Sequence, residues 1–256
     1  MTSSSGADSR VVLIADAAVD VGPQLVHAFD AQGARVIAVR GGSPAVELTE
    51  RSTSLALPAC SSAAYDEFAR ILRQTVARLD VVVHCDNRAE HEEGSFENLS
   101  GESWERTFQS NVLSAMQLAR VCAPLLTSTG QILFLSTAVS QANLRSSPVC
   151  PAYEAANAAL ERFARSLAVR LGPRGVSVNA LCTGNVDKPA FRAYLERAAT
   201  ARHGEASQLL AEVTRSQVLT GLVPLEDVVR QVLHLTDPVS RYVTGQRLSI
   251  SGGMEL

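Results

Sequence analysis

The chain has 256 residues, of which 46% are hydrophobic and 19% are charged, so it can bury one large core and fits a single α/β domain. Its net charge of −3 provides no basic surface for a nucleic acid or an anionic membrane, and we expect neither as a partner. The first residues, MTSSSGADSR, are polar, and no apolar run of about 18 residues follows. We therefore predict a disordered tail over 1–10, no membrane span and a cytoplasmic location.

The cysteines do not form a recognisable disulfide framework. They are odd in number, widely spaced and mostly set among apolar residues. This usage is typical of reduced, buried thiols rather than of disulfides or a zinc site. We therefore expect no metal ion at the cysteines, which are Cys60, Cys85, Cys122, Cys150 and Cys182.

Strand-like apolar runs alternate with amphipathic segments of helix length along the chain. In chain order the runs are RVVLIA, ARVIAV, LDVVVHC, GQILFLS, GVSVNAL and GQRLSIS. Such alternation is typical of a parallel sheet with helices on both faces. The sequence therefore predicts a Rossmann-like three-layer α/β/α sandwich with a doubly wound parallel sheet, in one domain over 11–256.

Two helical regions stand out in the second half of the chain. Apolar residues recur at helical spacing over 153–171, and the sequence GPRG ends that helix. Over 186–222, extra helix interrupts the strand-helix rhythm directly after a strand. Because ligands of doubly wound folds bind at the carboxyl ends of the strands, we predict that this insertion is a lid over a substrate. The alternative is a solvated helical excursion without a gating role.

Several of these stretches together resemble the short-chain dehydrogenase/reductase family, from residue 11 to residue 254. RYVTGQRLSISGGM is similar to the family's ending, and GPRGVSVNALCTGNV is similar to the strand after its catalytic helix. WERTFQSNVLSAMQLARVCAPLL is similar to the helix that carries the family's asparagine, here Asn111. GQILFLSTAVS and AYEAANAALERFARSLA are similar to the strand with the catalytic serine and the helix with the catalytic tyrosine, here Tyr153. The resemblance implies a small-molecule substrate and assembly into dimers or tetramers through the long helices.

The nucleotide-binding turn of that family reads T-G-x-x-x-G-x-G. In ADAAVDVG the pattern falls on Ala15, Asp16, Asp20 and Gly22, so one glycine remains. Glycines in such a turn let the backbone approach the pyrophosphate. An aspartate facing a phosphate at about 4 Å would cost on the order of 4 kcal/mol at an effective dielectric constant of about 20. We therefore expect a vestigial cofactor site without a bound cofactor, in which Asp20 caps the following helix instead.

Two further cofactor positions depart from the family's pattern. LALPACSS contains no carboxylate where the family holds the adenine, and HCDN, with Asp86, replaces the family's N-N-A-G. Arg40, at the end of the second predicted strand, is the one residue that suggests a 2′-phosphate site, although a lone arginine at a strand end is more often a surface residue. NADP is therefore the alternative to no cofactor.

The catalytic set implied by the resemblance is half retained. In the family the tyrosine is the acid/base, a lysine four residues later assists it, and the asparagine orders a water. Here Asn157 stands at the lysine position, and Lys188 is the only lysine in the chain. Modular polyketide ketoreductases also have Y-x-x-x-N, with the lysine moved to the long helix, but that position is Asn111 here. The Tyr153 hydroxyl is therefore expected to act as a hydrogen-bond donor or acid rather than as a base.

The serine that holds the substrate oxygen in the family has three candidates. The strand end selects Ser136 or Thr137, whereas the spacing ahead of the tyrosine selects Ser140. Nearby, His84 is expected to be a structural histidine. An acidic residue at the position of Asp86 also occurs in halohydrin dehalogenases, a branch of the fold without a nucleotide. Those enzymes carry Y-x-x-x-R, and the arginine is missing here.

Three hypotheses follow, in order of preference. The first is a non-redox enzyme for elimination, epoxide or halohydrin, isomerisation or cyclisation chemistry, in which Tyr153 and a nearby hydroxyl polarise a substrate oxygen. The second is a catalytically silent subunit that pairs with an active homologue, or a binding module. The third is an NADP-dependent reductase in which Arg40 holds the phosphate and Lys188 replaces the missing lysine.

Overall fold

The computed structural model describes residues 9–18, 21–40, 49–56, 60–85, 100–141, 151–201, 203–215 and 217–256. Strands and helices alternate over the first part of the chain: β1 (Val11–Ala15), α1 (Gly22–Ala31), β2 (Arg35–Arg40), β3 (Ser52–Ala56), α2 (Ser62–Thr75) and β4 (Leu79–His84). The second part comprises α3 (Gly101–Phe108), α4 (Ser114–Cys122), β5 (Leu126–Thr137), α5 (Pro151–Leu171), β6 (Ser177–Thr183), β7 (Val186–Asp187), α6 (Pro189–Ala201), α7 (Ala206–Arg215), β8 (Val223–Pro224), α8 (Leu225–Leu235) and β9 (Arg247–Ile250).

The main sheet is parallel and has the strand order β3-β2-β1-β4-β5-β6-β9. Val12 of β1 pairs with Val36 on one side and with Val81 on the other, so β1 is an interior strand. From β1 the chain first builds the sheet outward through β2 and β3, and then returns to add β4 on the opposite side. The point of reversal, between β1 and β4, is where folds of this type bind their ligands. The predicted doubly wound α/β/α sandwich is confirmed.

Both faces of the sheet are buried, which explains the continuous apolar runs in the sequence. Leu13 of β1 faces one hydrophobic core together with α2, α4 and α5. Its neighbours Val12 and Ile14 face the second core, which α1 and α8 cover. Alternate side chains of one strand thus pack against helices on opposite faces of the sheet. Because the strands are parallel, their carboxyl ends lie along one edge.

The long helix before β5 is interrupted at Asn111. A π-helical turn, Gln109–Leu113, separates α3 from α4. The next helix, α5, starts two residues earlier than predicted and ends at Leu171 as predicted. Gly175 then has a left-handed φ of 80°, and a Cβ atom there would lie 2.1 Å from the Ser128 carbonyl oxygen. The predicted GPRG stop therefore has a steric basis.

The predicted insertion after β6 consists of β7, α6, α7 and β8. The two helices pack on each other through a small separate core centred on Leu195, Ala198, Ala199 and Leu209. β7 and β8 pair in parallel as a two-stranded sheet. The helical character of 186–222 agrees with the sequence pattern, and its role as a lid stays a prediction.

Within the described residues no helix combines the length and apolarity needed to cross a membrane. Of the cysteines in the same ranges, Cys122 and Cys182 are free thiols. Across these ranges no group of histidine, cysteine and acidic side chains has the arrangement of a metal site.

Candidate active site

The turn after β1 keeps a glycine-like backbone although its first glycine is replaced. Asp16 has a left-handed φ of 58°, a conformation that aspartate adopts more readily than most residues. Gly22 opens α1 directly against this turn, since a Cβ atom there would lie 2.7 Å from the Asp16 carbonyl oxygen and from Ala17. The turn therefore preserves the sharp bend and close helix approach of a dinucleotide-binding fold. Asp20 lies outside the described residues.

The side chain of Asp16 is inside the fold. Only 4% of the residue is exposed. The repulsion that we expected from the sequence requires the Asp16 carboxylate to face the phosphates in the crevice. Because the residue is buried, this requirement is not met. The sequence pattern alone could not show it, because the direction of a side chain in a left-handed turn depends on the backbone conformation.

Arg40 closes β2 at the same edge of the sheet. It is half-buried, and its Nε donates a hydrogen bond to Ser54 Oγ of β3 at 2.7 Å. This bond uses one of the five N–H donors of the guanidinium group and holds it beside β3. The structure thus places Arg40 among neighbours rather than extended into solvent.

Asn111 is fully buried in the π-helical turn. Its Nδ2 donates to the carbonyl oxygen of Thr107 at 2.9 Å. π-helical turns within α-helices occur frequently at functional sites. The residue that the resemblance selected therefore lies at an irregularity of the long helix, and its side chain is bonded to the backbone there.

Tyr153 and Asn157 lie one turn apart on α5. The Asn157 side chain is fully buried, with Nδ2 donating to the Tyr153 carbonyl oxygen at 2.9 Å and Oδ1 accepting from Ser136 Oγ at 3.1 Å. Asn157 therefore links α5 to the end of β5. It does not project from the helix as a lysine at that position would.

The three candidate hydroxyls have different environments. Ser136 is fully buried and faces α5, whereas the Thr137 hydroxyl accepts from Val139 N at 3.3 Å and donates to the Thr183 carbonyl oxygen at 3.4 Å. Ser140, in the short 3-10 turn after β5, is only partly buried. Of the three, Ser140 combines contact with α5 and access from outside.

Sequence reasoning missed Glu161, which is 8% exposed on α5. One carboxylate oxygen accepts from Ser140 Oγ at 2.6 Å, from Ser136 Oγ at 2.8 Å and from Cys182 Sγ at 3.3 Å. The other accepts from Arg247 Nε at 2.7 Å. The available signal was its position: Tyr153, Asn157 and Glu161 recur every four residues and so share one helix face. A charged residue on the sheet-facing side of a helix requires partners.

Two ionisable side chains that contact Glu161, Arg247 and Cys182, have shifted pKa values that fix their protonation states. Arg247 also pairs with both carboxylate oxygens of Glu255, and this hydrogen bond is the main reason that the pKa of Arg247 is raised. Burial, with a smaller contribution from the Glu161 charge, raises the pKa of the Cys182 thiol. Arg247 is therefore a cation and Cys182 a neutral donor at neutral pH.

His84, at the end of β4, is a structural residue. It is buried, and its Nε2 lies 3.1 Å from Ser114 Oγ of α4. Desolvation lowers its pKa to about 4, so the ring is neutral near pH 7. This agrees with the expectation of a structural histidine. Asp86 lies outside the described residues. Lys188 is partly buried between β7 and α6.

The strand order, the left-handed turn closed by Gly22 and the tyrosine helix beside a strand-end hydroxyl are together typical of the dinucleotide-binding type of α/β fold. Residues 17–255 match the family model described as enoyl-(acyl carrier protein) reductase. The chain belongs to the short-chain dehydrogenase/reductase superfamily.

Three similar proteins illustrate this membership. An uncharacterized oxidoreductase of Schizosaccharomyces pombe is 29% identical over 253 residues, which is 96% of this chain and 91% of the relative. A short-chain dehydrogenase of Leptospira borgpetersenii with bound NAD⁺ has a TM-score of 0.83 at 21% identity and covers 100% of this chain and 98% of its own. A single-residue variant of the actinorhodin polyketide ketoreductase with NADPH also has a TM-score of 0.83, at 19% identity. It covers 97% of this chain and 98% of its own.

These comparisons overturn the preferred functional hypothesis. The curated relative is named an oxidoreductase, and the two solved neighbours hold nicotinamide cofactors. The prediction of a non-redox enzyme without a cofactor is therefore wrong, and the analogy with halohydrin dehalogenases is wrong with it. For Asp16 the physical error was to treat the carboxylate as lying in the path of the phosphates, because this residue is buried in a left-handed turn.

Proposed function

We propose that this chain is an NADP(H)-dependent oxidoreductase that interconverts an alcohol and a carbonyl group of a small molecule. The observation that carries the proposal is the turn between β1 and α1. Its backbone has the left-handed step at Asp16, and Gly22 leaves no room for a side chain. In a nucleotide-binding turn the first glycine allows the tight turn and the last allows close packing of the helix on the strand, and both features are present here.

The cofactor fits this end of the sheet by its chemistry. α1 begins at Gly22 beside this turn, and the positive end of a helix with its unpaired backbone N–H groups suits a pyrophosphate, although Pro23 contributes no N–H. Arg40, fixed by its bond to Ser54, is the candidate for the 2′-phosphate of NADP. Asp16 and Gly22 shape the turn, and their backbone would hold the nucleotide there.

When bound, the nicotinamide donates or accepts the hydride. Tyr153, which has Asn157 rather than a lysine four residues later, donates its proton to the substrate oxygen during reduction. Ser140 is the preferred hydroxyl beside that oxygen because it is the accessible one of the three candidates. Asn157 and Asn111 maintain the backbone around Tyr153 and the π-helical turn.

We further propose that copies of the chain associate through the long helices. Leu113, in the π-helical turn, is 46% exposed, and Val169, near the end of α5, is 76% exposed. Apolar side chains exposed on these helices favour a dimer or tetramer. Sedimentation of the purified protein tests this assembly. The cytoplasmic location stays a prediction.

The first test is a titration with NADPH and NADH, followed by protein fluorescence and by melting temperature. We expect saturable binding, with NADPH bound more tightly than NADH. Arg40→Gln should weaken NADPH binding by about 10- to 100-fold, the value of one charge-assisted contact, and leave NADH unchanged. Arg35→Gln is the matched control, because this exposed arginine opens the same strand and donates to the Thr75 carbonyl oxygen. Absence of binding at millimolar cofactor would refute the proposal.

A further inference from the structure

The segment that leads from α7 back to β8, residues 217–222, reverses the usual distribution of polar and apolar side chains. We call this segment the return arm. Gln217 is only 5% exposed, whereas the next two residues, Val218 and Leu219, are 65% and 73% exposed. Glutamine is mostly found at protein surfaces, and valine and leucine are mostly found inside. The arm therefore buries its polar side chain and exposes two apolar ones.

The buried amide of Gln217 also lacks hydrogen bonds. Within the described ranges of the chain, neither Nε2 nor Oε1 of this side chain has a partner. In water both atoms are hydrogen-bonded, so burial removes those bonds without replacing them. The packed position of the return arm is therefore less stable than it would be with an apolar side chain at position 217.

The return arm is attached to the turn that follows β9. Leu219 N donates a hydrogen bond to the Gly252 carbonyl oxygen at 2.8 Å. A Cβ atom at Gly252 would lie 2.9 Å from the Leu219 carbonyl oxygen, and one at Gly253 would lie 3.0 Å from Val218 Cβ. The arm and the turn are thus in close contact, and two glycines make this contact possible.

Release of the arm from this turn should cost little. Val218 and Leu219 are already largely exposed, so release uncovers little further apolar surface of these side chains, and it hydrates the Gln217 amide. Gly221, with a φ of 115°, lies between the contact and β8. No heavy atom of the described residues lies within 4 Å of a Cβ atom added there, so the chain has room to bend at this glycine.

The predicted lid can follow the arm as one unit. Its two helices, α6 and α7, pack on each other through a core of their own, which a joint movement leaves intact. The strands at the base of the lid, β7 and β8, stay paired with each other. Release of the arm therefore frees the α7 side of the lid while its base remains in place.

The turn after β9 also adjoins the candidate active site. Gly184 follows the last residue of β6, and a Cβ atom there would lie 2.7 Å from Ser251 Cα. The preceding residue, Thr183, accepts a hydrogen bond from Thr137 Oγ1 through its carbonyl oxygen. The arm is thus attached beside the carboxyl end of β6, where one of the candidate hydroxyls lies.

We propose that the predicted lid opens by release of the return arm, and that the Gln217 amide keeps the closed position only marginally stable. The closed position is the one in this structure, with the amide dry and the arm on the turn after β9. Gln217 takes no part in the reaction. The inference concerns the movement of 186–222 in the free protein, so it does not depend on the proposed reaction or cofactor.

Gln217→Met tests the role of the amide, because methionine is apolar, unbranched and of similar length. The closed position should become more stable, and amide hydrogen exchange in the return arm should slow by about tenfold or more. Exchange followed by mass spectrometry on the protein without ligand measures this for each peptide. Gln208→Met is the matched control, since Gln208 is exposed on α7, and it should leave exchange in the arm unchanged.

The distribution of the slowing along the chain decides between two roles of the amide. Slowing that is confined to the arm and its contact with the turn supports the proposal. Equal slowing in β5 and α8 would show that Gln217 affects the stability of the whole fold, and the proposal would fail. Unchanged exchange in the arm would overturn it as well. Gln217→Leu, a second apolar replacement, should give the same result as methionine.

A distance measurement tests whether the lid moves with the arm. Spin labels are attached to cysteines at Ser207 on α7 and Arg230 on α8, both exposed, with Cys60 and Cys150 replaced by serine. Pulsed electron paramagnetic resonance then gives the distribution of distances between the labels. Gln217→Met should reduce the population with the lid displaced from its closed position.

Gly252→Ala should have the opposite effect. Its methyl group would lie 2.9 Å from the Leu219 carbonyl oxygen, and a φ of 64° disfavours alanine, so the arm should be released more often. Exchange in the arm should become faster, and the displaced population between the spin labels should grow. If exchange becomes faster while the label distances stay the same, the lid does not open with the arm, and the proposal is wrong.

Discussion

The β1–α1 turn and the helix α5, at the two ends of the candidate active site, retain different parts of the family's pattern. At the β1–α1 turn the residue types have changed, yet the backbone keeps the shape of a nucleotide-binding turn, with Asp16 at a φ of 58° and Gly22 in close contact. On α5 the backbone is an ordinary helix, and the side-chain chemistry has changed instead. A buried carboxylate network stands beside Tyr153, where the family has a lysine. At the turn, the backbone conformation is what has been retained. On α5, the charges of the side chains are what has changed.

The largest effect is expected on the helix side. Tyr153→Phe removes the proposed proton donor and should lower the turnover number by about 10²- to 10⁴-fold, with nucleotide affinity unchanged. Steady-state kinetics with the best alcohol or carbonyl substrate measure it. Tyr242→Phe is the control, since that tyrosine is exposed after α8. A fully active Tyr153→Phe enzyme would contradict the role of the tyrosine.

A second prediction concerns His84, at the end of β4 between the two regions. Its pKa of about 4 in the folded protein lies below the ordinary value of 6.5, so the unfolded chain binds the extra proton first as the pH falls. The free energy of unfolding should therefore decrease between pH 6.5 and pH 4, by about 3 kcal/mol in total.

Denaturant unfolding at a series of pH values measures this loss. His84→Gln should flatten the decrease, whereas His27→Gln, at an exposed position on α1, should leave it intact. Identical pH profiles for the wild type and His84→Gln would show that His84 is not the group responsible.

On the turn side, Gly22→Ala places a methyl group 2.7 Å from backbone atoms of Asp16 and Ala17. We expect a loss of about 1–3 kcal/mol of stability and a marked loss of nucleotide binding, because the turn must open. Thermal melting with and without NADPH measures both. Gly172→Ala is the control, because no heavy atom lies within 4 Å of its added Cβ. Unimpaired binding by Gly22→Ala would contradict the proposed site.

The smallest effect separates backbone shape from side-chain identity at Asp16. Asp16→Ala should cost about 1–2 kcal/mol, since alanine tolerates the left-handed region poorly. Asp16→Gly should fold with similar stability and still bind NADPH. Chemical denaturation measures the comparison. If alanine and glycine are equally stable at this position, the left-handed turn is not what selects Asp16.

The sequence was sufficient for the fold because apolar periodicity and helix stops are local signals. It also placed Tyr153, Asn157 and the strand-end hydroxyls in one region. It failed at Asp16 because residue type does not reveal that a carboxylate lies inside the fold. It missed the pair formed by Glu161 and Arg247, because these residues are 86 positions apart and only the sheet brings them together.

That separation also affects the order of folding. The Glu161 charge lies on α5, but the cation beside it arrives only when β9 joins the edge of the sheet next to β6. Until then, burying Glu161 against β5 leaves an uncompensated charge in a low-dielectric region. We therefore expect the central strands to assemble early and α5 to pack stably on the sheet only after β9 has paired with β6. Removal of β9 by limited proteolysis should loosen the middle of the molecule as well as its edge.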